Sequence, residues 1–437
     1  MERWNRVRGI FVQPRWNYYI LILLAFCMPF YNDFLPYLIT AALLSWMIQK
    51  NIVARVKSVS SFKYFIFVGL FYVLHLLGLL YTRQLDEGIF DVQLKLSLII
   101  FPLIIFSSSD FLVRRKDIIL SSFIYGNLAA SIICIIIAVY HSFRNGAEGT
   151  FNVSVWPFTE GWPLYKLIFS GYSYFNYTWL SVFIHAGYFS MYILFSLYIV
   201  YSRLILRWEH LSLLNRMTSI LLICFFLFMI LLLQSRAAII ALAAVFIFEM
   251  SRMLLKKGKF GLKTAIIVFF ALIITAIVQL STRFDSLKID ESGIKISREN
   301  DFRLLMWAKS VNIIKSHILF GVGTGDEEPA IRNVYDAKLM EVTKGKKYNC
   351  HNVYLETTMK LGIIGGGLLL VILFLPFFRR VNYYKERLLL GFLIIIMVHF
   401  FFESMLSRLN GVVFFSFFYC LLVSGQKNIP ESESSDK

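Results

Sequence analysis

Charge is scarce in this chain of 437 residues: 16% are Asp, Glu, Lys or Arg, while 58% are hydrophobic. A soluble protein would carry roughly a quarter charged residues. A water-soluble globular fold is therefore excluded, and a bilayer becomes the solvent that permits the composition. Cysteine is sparse as well. Cys27, Cys134, Cys224 and Cys420 fall in apolar runs, and Cys350 alone sits in a long polar segment. No CxxC pair occurs, so isolated thiols are expected rather than a disulfide framework. The basic N-terminus precedes an apolar run with no small-residue cleavage site behind it, which reads as a retained span, not a signal peptide. No internal repeat is visible.

What is abundant is aromatic: 43 Phe and 23 Tyr, within an aromatic share of 17%. The net charge of +17 could suggest a nucleic-acid partner. Most of the basic residues lie between apolar runs, however, which is the pattern of membrane orientation. Apolar runs predict about twelve spans, at 17–31, 33–48, 62–81, 92–107, 117–140, 177–201, 213–233, 236–255, 262–281, 353–377, 387–403 and 410–424. The first two are short and fit either a steep crossing or a hairpin that does not fully cross.

Placing the N-terminus in the cytoplasm puts 25 Lys and Arg in the inner segments and six in the short outer ones: Arg83, Lys95, Arg144, Lys166, Arg236 and Arg408. The other 13 lie in 282–360, whose long loop falls outside the counting rule. Both termini are thus expected inside. The chain divides into a cytoplasmic N-terminus (1–16), spans one to nine (17–281), an outer loop (282–352), spans ten to twelve (353–424) and a polar tail (425–437). A second outer connection, 141–176, carries Trp156, Pro157, Trp162 and Pro163. Long loops of this kind tend to be lids or binding elements.

Arg236 opens the eighth span in LLLQSRAAIIALAAVF. An Arg costs about 2–3 kcal/mol at mid-bilayer and less near an interface. It is either an interfacial Arg reaching headgroups or a cation aimed into an outer cavity. Ser235, Ala237 and Ala238 leave space beside it, and the positive-inside bias disfavours an outer Arg without a role. In 299–325, Phe302, Leu305, Met306, Val311, Ile313 and Ile314 fit a helix lying on the membrane surface, with Asn300 or Asp301 as cap. Arg303 falls in its first turn, where the helix dipole prefers an anion. The segment ends in GVGTG, a plain helix-ending turn or a phosphate nest.

His351, in NCHNVYLE, stands at the entrance to the tenth span with Asn349, Asn352 and Glu356 around it. An imidazole can take a proton near neutral pH, although a lone interfacial His is more often structural. His185 could line the same cavity or pack quietly. His75 and His399 read as core, and His141, His210 and His317 as interfacial. Glu403 and Arg408, in FFESMLSRLNG, are expected to form an ion pair at the outer mouth. Arg236, Arg303, His351 and Glu403 all map to one side of the membrane. Two guanidiniums and an imidazole at an outer cavity suit a lipid diphosphate, because guanidinium binds phosphate oxygens in bidentate fashion and keeps its charge.

In these motifs the chain resembles the O-antigen ligase and polymerase superfamily. The resemblance rests on SRAA at 235–238, on Arg303-x-x-x-Trp307 followed by GVGTG at 321–325, and on HNVYLE at 351–356 followed by KLGIIGG at 360–366. The twelve-span plan with its long outer loop adds to it. It covers roughly 220–380, and the N-terminal half by topology only. ESMLSRLNGVVFFSFF at 403–418 is similar to members from Bacteroidetes-type bacteria.

The resemblance implies an all-α polytopic fold akin to the C-type glycosyltransferases, in a bacterial inner membrane with the active site on the periplasmic side. It implies Arg236 and Arg303 as binders of an undecaprenyl diphosphate and His351 as the base on the acceptor hydroxyl, without a metal or other cofactor. Glu403, Arg408, His185 and Asn352 are accessory candidates. His185-Ala186 departs from the His-Pro often seen there. Transfer would invert the anomeric carbon, with the arginines stabilising the departing diphosphate. The leading expectation is a ligase moving glycan en bloc to lipid A-core. A polysaccharide polymerase or a protein O-glycosylating transferase are alternatives within the superfamily. A lipid-linked sugar flippase is the alternative from another class, disfavoured because polar residues cluster at one interface and no repeated halves are seen.

Overall fold

The computed structural model describes residues 15–31, 33–60, 63–144, 151–155, 173–255, 289–290, 293–294, 298–333, 349–378 and 386–425. The expected ninth span at 262–281, Trp156, Pro157, Trp162 and Pro163, and the tail from 426 lie outside the described residues. What is described is an all-α membrane protein, save for a two-residue antiparallel pairing of Ile289–Asp290 with Gly293–Ile294. The other eleven apolar runs fall on helices, and Leu213–Leu233 and Arg236–Leu255 match their expected limits to the residue. Among the described residues, five helices are long and apolar enough to cross a bilayer: Leu85–Phe106, Arg114–Arg144, Ala186–Leu206, Leu213–Leu233 and Val353–Phe378. Shorter apolar helices run Trp16–Cys27, Lys63–Gly78, Arg387–Phe402 and Leu409–Val423.

The run expected at 33–48 is helix Phe34–Ile48, with a bend after it, and two other expectations need correction. Helix Phe34–Ile48 turns by 116° into Ile52–Val59, because Asn51 adopts a left-handed φ of 60°. Arg55 then reaches back to the Trp46 and Gln49 carbonyls at 2.8 and 3.1 Å and fixes the bend. The run at 177–201 is not one helix: a single turn, Tyr177–Leu180, is followed by a break, and helix Ala186–Leu206 starts after His185. Finally, Lys95 is no loop residue. It lies within Leu85–Phe106, 2% exposed, with its ammonium 2.6 Å from Asp91 one turn earlier.

Leu409–Val423 is apolar on every face and buried on every face, as such a helix must be. Phe414 and Phe418 on it meet Phe123, Phe195 and Phe392 from three other helices, with ring centroids 4.7 to 6.3 Å apart. Part of the phenylalanine surplus is thus the packing material of the bundle centre, where edge-to-face rings add to area burial. At the bundle end remote from Arg236, Arg387 donates to Glu249 (Nε to Oε1 2.8 Å, Nη2 to Oε2), while the Tyr198 hydroxyl donates to Glu249 Oε1 at 2.7 Å. This buried ion pair ties three helices together.

Helix Val353–Phe378 is interrupted. Gly362 has φ 66° and ψ −168°, a region open essentially to glycine alone. The break frees the carbonyls of Met359 and Lys360, which accept from Val322 N at 2.8 Å and Gly323 N at 3.1 Å, while Ile363 N donates to Ile318 O at 2.8 Å. The turn 318–323 of the outer loop therefore completes the hydrogen bonding of a broken span. A Cβ at Gly362 would run into the Leu319 carbonyl. We expect Gly362→Ala to destabilise the protein by about 1–3 kcal/mol from backbone strain alone, read as a lower melting temperature in detergent micelles. An unchanged melting temperature would refute this account of the break.

The GVGTG segment is thereby a docking turn, not a phosphate nest. Its amides are occupied: Val322 and Gly323 as above, and Gly325 by Thr82 Oγ1 at 3.0 Å. Thr324 Oγ1 donates to the His75 carbonyl at 2.7 Å. The Asp326 carboxylate accepts from the backbone N–H of Arg83 and Gln84 at 2.7 and 2.8 Å. These amides stand at the N-terminus of helix Leu85–Leu94, so a loop carboxylate satisfies donors that an isolated helix end leaves orphaned.

Candidate active site

The two arginines come together although 67 residues separate them. Arg236 opens its helix directly after Gln234, a left-handed cap (φ 47°), and Ser235, whose Oγ accepts from Ala238 N at 3.4 Å. Arg303 sits on helix Arg298–Ser316. That helix starts earlier than expected, so Asn300 and Asp301 lie inside its first turn, not at its cap. It does not float on the membrane surface either: Met306 and Ile313 are buried against Ile331, Cys350 and Met359. Trp307 Nε1 donates to the Cys350 carbonyl at 2.8 Å, which locks the helix to the segment carrying His351.

One pocket of ≈ 360 Å³, counting its open mouth, is lined by Tyr177, Gly187, Ser235, Arg236, Ala237, Arg303, Phe402 and Glu403. Its charged lining residues are two guanidiniums and one carboxylate. The first residues of helices Ala186–Leu206 and Arg236–Leu255 also line it, and helix N-termini favour anions. The pocket is built to receive negative charge.

Glu403 organises the wall. Its Oε1 accepts from Arg303 Nη2 at 3.4 Å and its Oε2 lies 3.0 Å from His351 Nδ1. Arg303 Nη1 also donates to the Phe402 carbonyl at 3.1 Å. Burial pushes the Glu403 carboxyl up, but the hydrogen bond from His351 and the charges of Arg303 and His351 outweigh it and hold the group below the usual carboxylate range. An ionised Glu403 accepts only, so His351 donates from Nδ1 and its Nε2 is the basic nitrogen of the neutral ring. His351 has φ 48°, a left-handed value rare for a side-chain-bearing residue, and its N–H donates to Asn349 Oδ1 at 3.2 Å.

The expected Glu403–Arg408 pair is not formed. Glu403 ends helix Arg387–Phe402 in extended backbone, and the turn Met405–Ser407 carries Arg408 away to an exposed position. The accessory candidates are placed as follows. Asn352 caps helix Val353–Phe378, its Oδ1 accepting from Leu355 N at 3.0 Å. His185 caps helix Ala186–Leu206 through Nδ1, which accepts from Gly187 N at 3.2 Å, and its ring meets Tyr177 edge-on. Tyr177 itself lines the pocket at a left-handed φ of 41°. His75 and His399 are core residues, 1% and 0% exposed.

Residues 220–370 match the family model described as O-antigen ligase. Over this stretch the chain is similar to the O-antigen ligase family. The matched stretch holds Arg236, Arg303 and His351, while Glu403 lies beyond it. No curated protein matches the chain. That similarity supports a glycosyltransferase of the O-antigen ligase and polymerase type in a multi-pass membrane protein.

Sequence reasoning missed a second polar cluster, which joins the matched stretch to Asp91 and Lys95 outside it. Lys360 lies 2.7 Å from Glu356, 3.1 Å from Glu327 and 3.0 Å from Asp91, and Asp91 also holds Lys95. A signal was present. Asp91/Lys95 and Glu356/Lys360 are both acid-to-lysine pairs four residues apart inside apolar helices, and an ionisable group in a span marks function by default.

Proposed function

We propose that this protein transfers a glycan en bloc from undecaprenyl diphosphate to lipid A-core on the periplasmic side of the inner membrane. The observation that carries this reading is the pocket that Arg236 and Arg303 both line, beside the Glu403–His351 pair. The diphosphate sits against the two guanidiniums and the helix N-termini, where charge developing on the leaving group is stabilised. His351 takes the proton of the acceptor hydroxyl on Nε2. Its attack on the anomeric carbon breaks the bond to the diphosphate and inverts that centre. His351 is not among the residues lining the pocket itself; it adjoins the wall through Glu403, so the acceptor approaches from the His351 side and the diphosphate from the arginine side. Confinement of both substrates to one leaflet supplies part of the proximity effect.

Surface-glycan profiling of a deletion strain and its complement tests this. The expected result is uncapped lipid A-core with long undecaprenyl-linked glycan accumulating. Cores capped by a single repeat would replace the ligase reading by a polymerase. Altered glycoproteins with unchanged lipid A-core would replace it by protein glycosylation. Loss of outer-leaflet lipid-linked sugar with accumulation inside would mean a flippase.

A further inference from the structure

The Lys360 cluster has no part in the transfer chemistry, yet it joins the elements that carry that chemistry. Lys360 is on the broken helix 353–378, Asp91 on helix 85–94, and Glu327 on helix Glu327–Asn333 of the outer loop. Lys360 Nζ also donates to Ser407 Oγ at 3.4 Å, and that hydroxyl donates to Glu356. Ser407 belongs to the turn that begins just after Glu403. One ammonium therefore ties together the loop bearing Arg303, the turn following Glu403, and the helix that His351 precedes.

The cluster is short of positive charge. Asp91, Glu327 and Glu356 face Lys95 and Lys360, three carboxylates against two ammoniums, all less than a tenth exposed. His75, from helix 63–78, is buried alongside, and the buried Cys350 thiol is next to Glu327 and Glu356. On Glu327's own element, Asp326 is spent on two backbone amides, and Glu328 pairs with Arg332 at the exposed side. Each of two carboxylates turns one oxygen to Lys360, and each has a second, buried oxygen, Glu327 Oε1 and Glu356 Oε2, that accepts no hydrogen bond from a described residue. A buried, uncompensated charge is expelled or neutralised, and a like charge close to a carboxyl favours its protonated form. Burial first, and then the charge of Glu356, push the Glu327 carboxyl up to about 8.

We propose that Lys360 is a positioning residue: Glu327 docks in its protonated form against the Lys360 ammonium, and this closed, charge-balanced cluster clamps the Arg303-bearing loop onto the bundle. The proposal rests on the glycan-transfer reading only for what Arg303 does. Its sign follows from linkage. In the undocked loop Glu327 returns to the ordinary carboxylate range, near pH 4.5, whereas docked it holds its proton up to about 8. The proton's contribution to docking is thus fully present below the lower value. It falls about tenfold per pH unit between the two and is gone above the upper one.

Cys350 reports docking without any substrate. It is 0% exposed in the small core formed by Met306, Ile313, Ile331 and Met359, and burial pushes its thiol up, so it reacts only when the loop opens. The experiment is maleimide labelling of Cys350 in the purified full-length protein, followed by peptide mass spectrometry between about pH 5.5 and 7.5. Thiolate formation alone makes the rate rise about tenfold per pH unit. Opening through loss of the Glu327 proton adds a second factor of about ten per unit. We expect a logarithmic slope near two for the wild type and near one for Glu327→Gln, whose amide cannot lose a proton. Lys360→Met is expected to label fast at every pH, and Lys360→Arg to restore part of the protection. A wild-type slope of one, equal slopes in wild type and Glu327→Gln, or a protected Lys360→Met would each overturn the proposal. None of these readouts involves glycan transfer, so a failed transfer reading leaves the slopes unaltered and failed slopes leave the transfer reading standing.

Discussion

Arg303→Ala lowers glycan transfer by about 10²–10³-fold, the usual loss when one preorganised donor to developing charge is removed. The magnitude follows from position. Arg303 lines the same pocket as Arg236 and is held by the Phe402 carbonyl and Glu403 Oε1, so its plane is set before any substrate arrives. Groups oriented in advance need no reorganisation during the reaction, which is why their removal falls on kcat. Arg303→Lys should recover little, since an ammonium cannot hold Phe402, Glu403 and a phosphate oxygen in one plane. The measurement is transfer from a lipid-linked donor by purified protein in liposomes, with melting temperatures showing that each variant is folded. Transfer by Arg303→Ala within about threefold of the wild type would remove Arg303 from the binding of the leaving group, against the loss expected for such a donor.

Glu249→Ala destabilises the protein by about 3–5 kcal/mol, because it strands a buried guanidinium. Arg387 donates to both Glu249 oxygens, and Tyr198 donates to one of them. Both side chains of the ion pair are less than a tenth exposed. Removing one partner leaves the other charge unpaired in a low-dielectric interior, whereas removing both is far milder. Glu249→Ala combined with Arg387→Met should therefore be more stable than Glu249→Ala alone, a non-additivity expected of contacting residues. Thermal unfolding in detergent reads both effects. Equal melting temperatures for the single and double variants would show that the pair is not the staple described. Glu249 lies 13 residues beyond Arg236 in one helix, about 20 Å along the axis. Partially stabilised double variants should accordingly retain transfer.

Several parts of the site were legible in the chain because each is a local property. Arg236 stood out as an Arg at the start of an apolar run, and Arg303 as a cation in a helix opening. His351 stood out among polar neighbours at the mouth of a span. Their common side of the membrane is what the Lys and Arg asymmetry between loops predicts. Other parts were misplaced for the same reason. Lys95 looked like a loop residue because a charge interrupts hydropathy, although its partner Asp91 lies one helical turn away. GVGTG looked like a free turn because its hydrogen-bond partners, Met359 and Lys360, are more than 30 residues distant.

By itself, the sequence determined the all-α membrane class, most helix limits and the three candidate residues, since hydropathy, helix period and charge bias are summed over neighbours a few residues apart. Only the tertiary structure decided that Glu403 serves Arg303 and His351 and turns away from Arg408. It alone decided that Gly362 breaks a helix to receive the outer loop and that Lys360 gathers carboxylates from three elements. These are pairings across 33 to 269 residues. The partner of a buried charge is whichever group the folded chain brings within about 3 Å, and no local pattern encodes that distance.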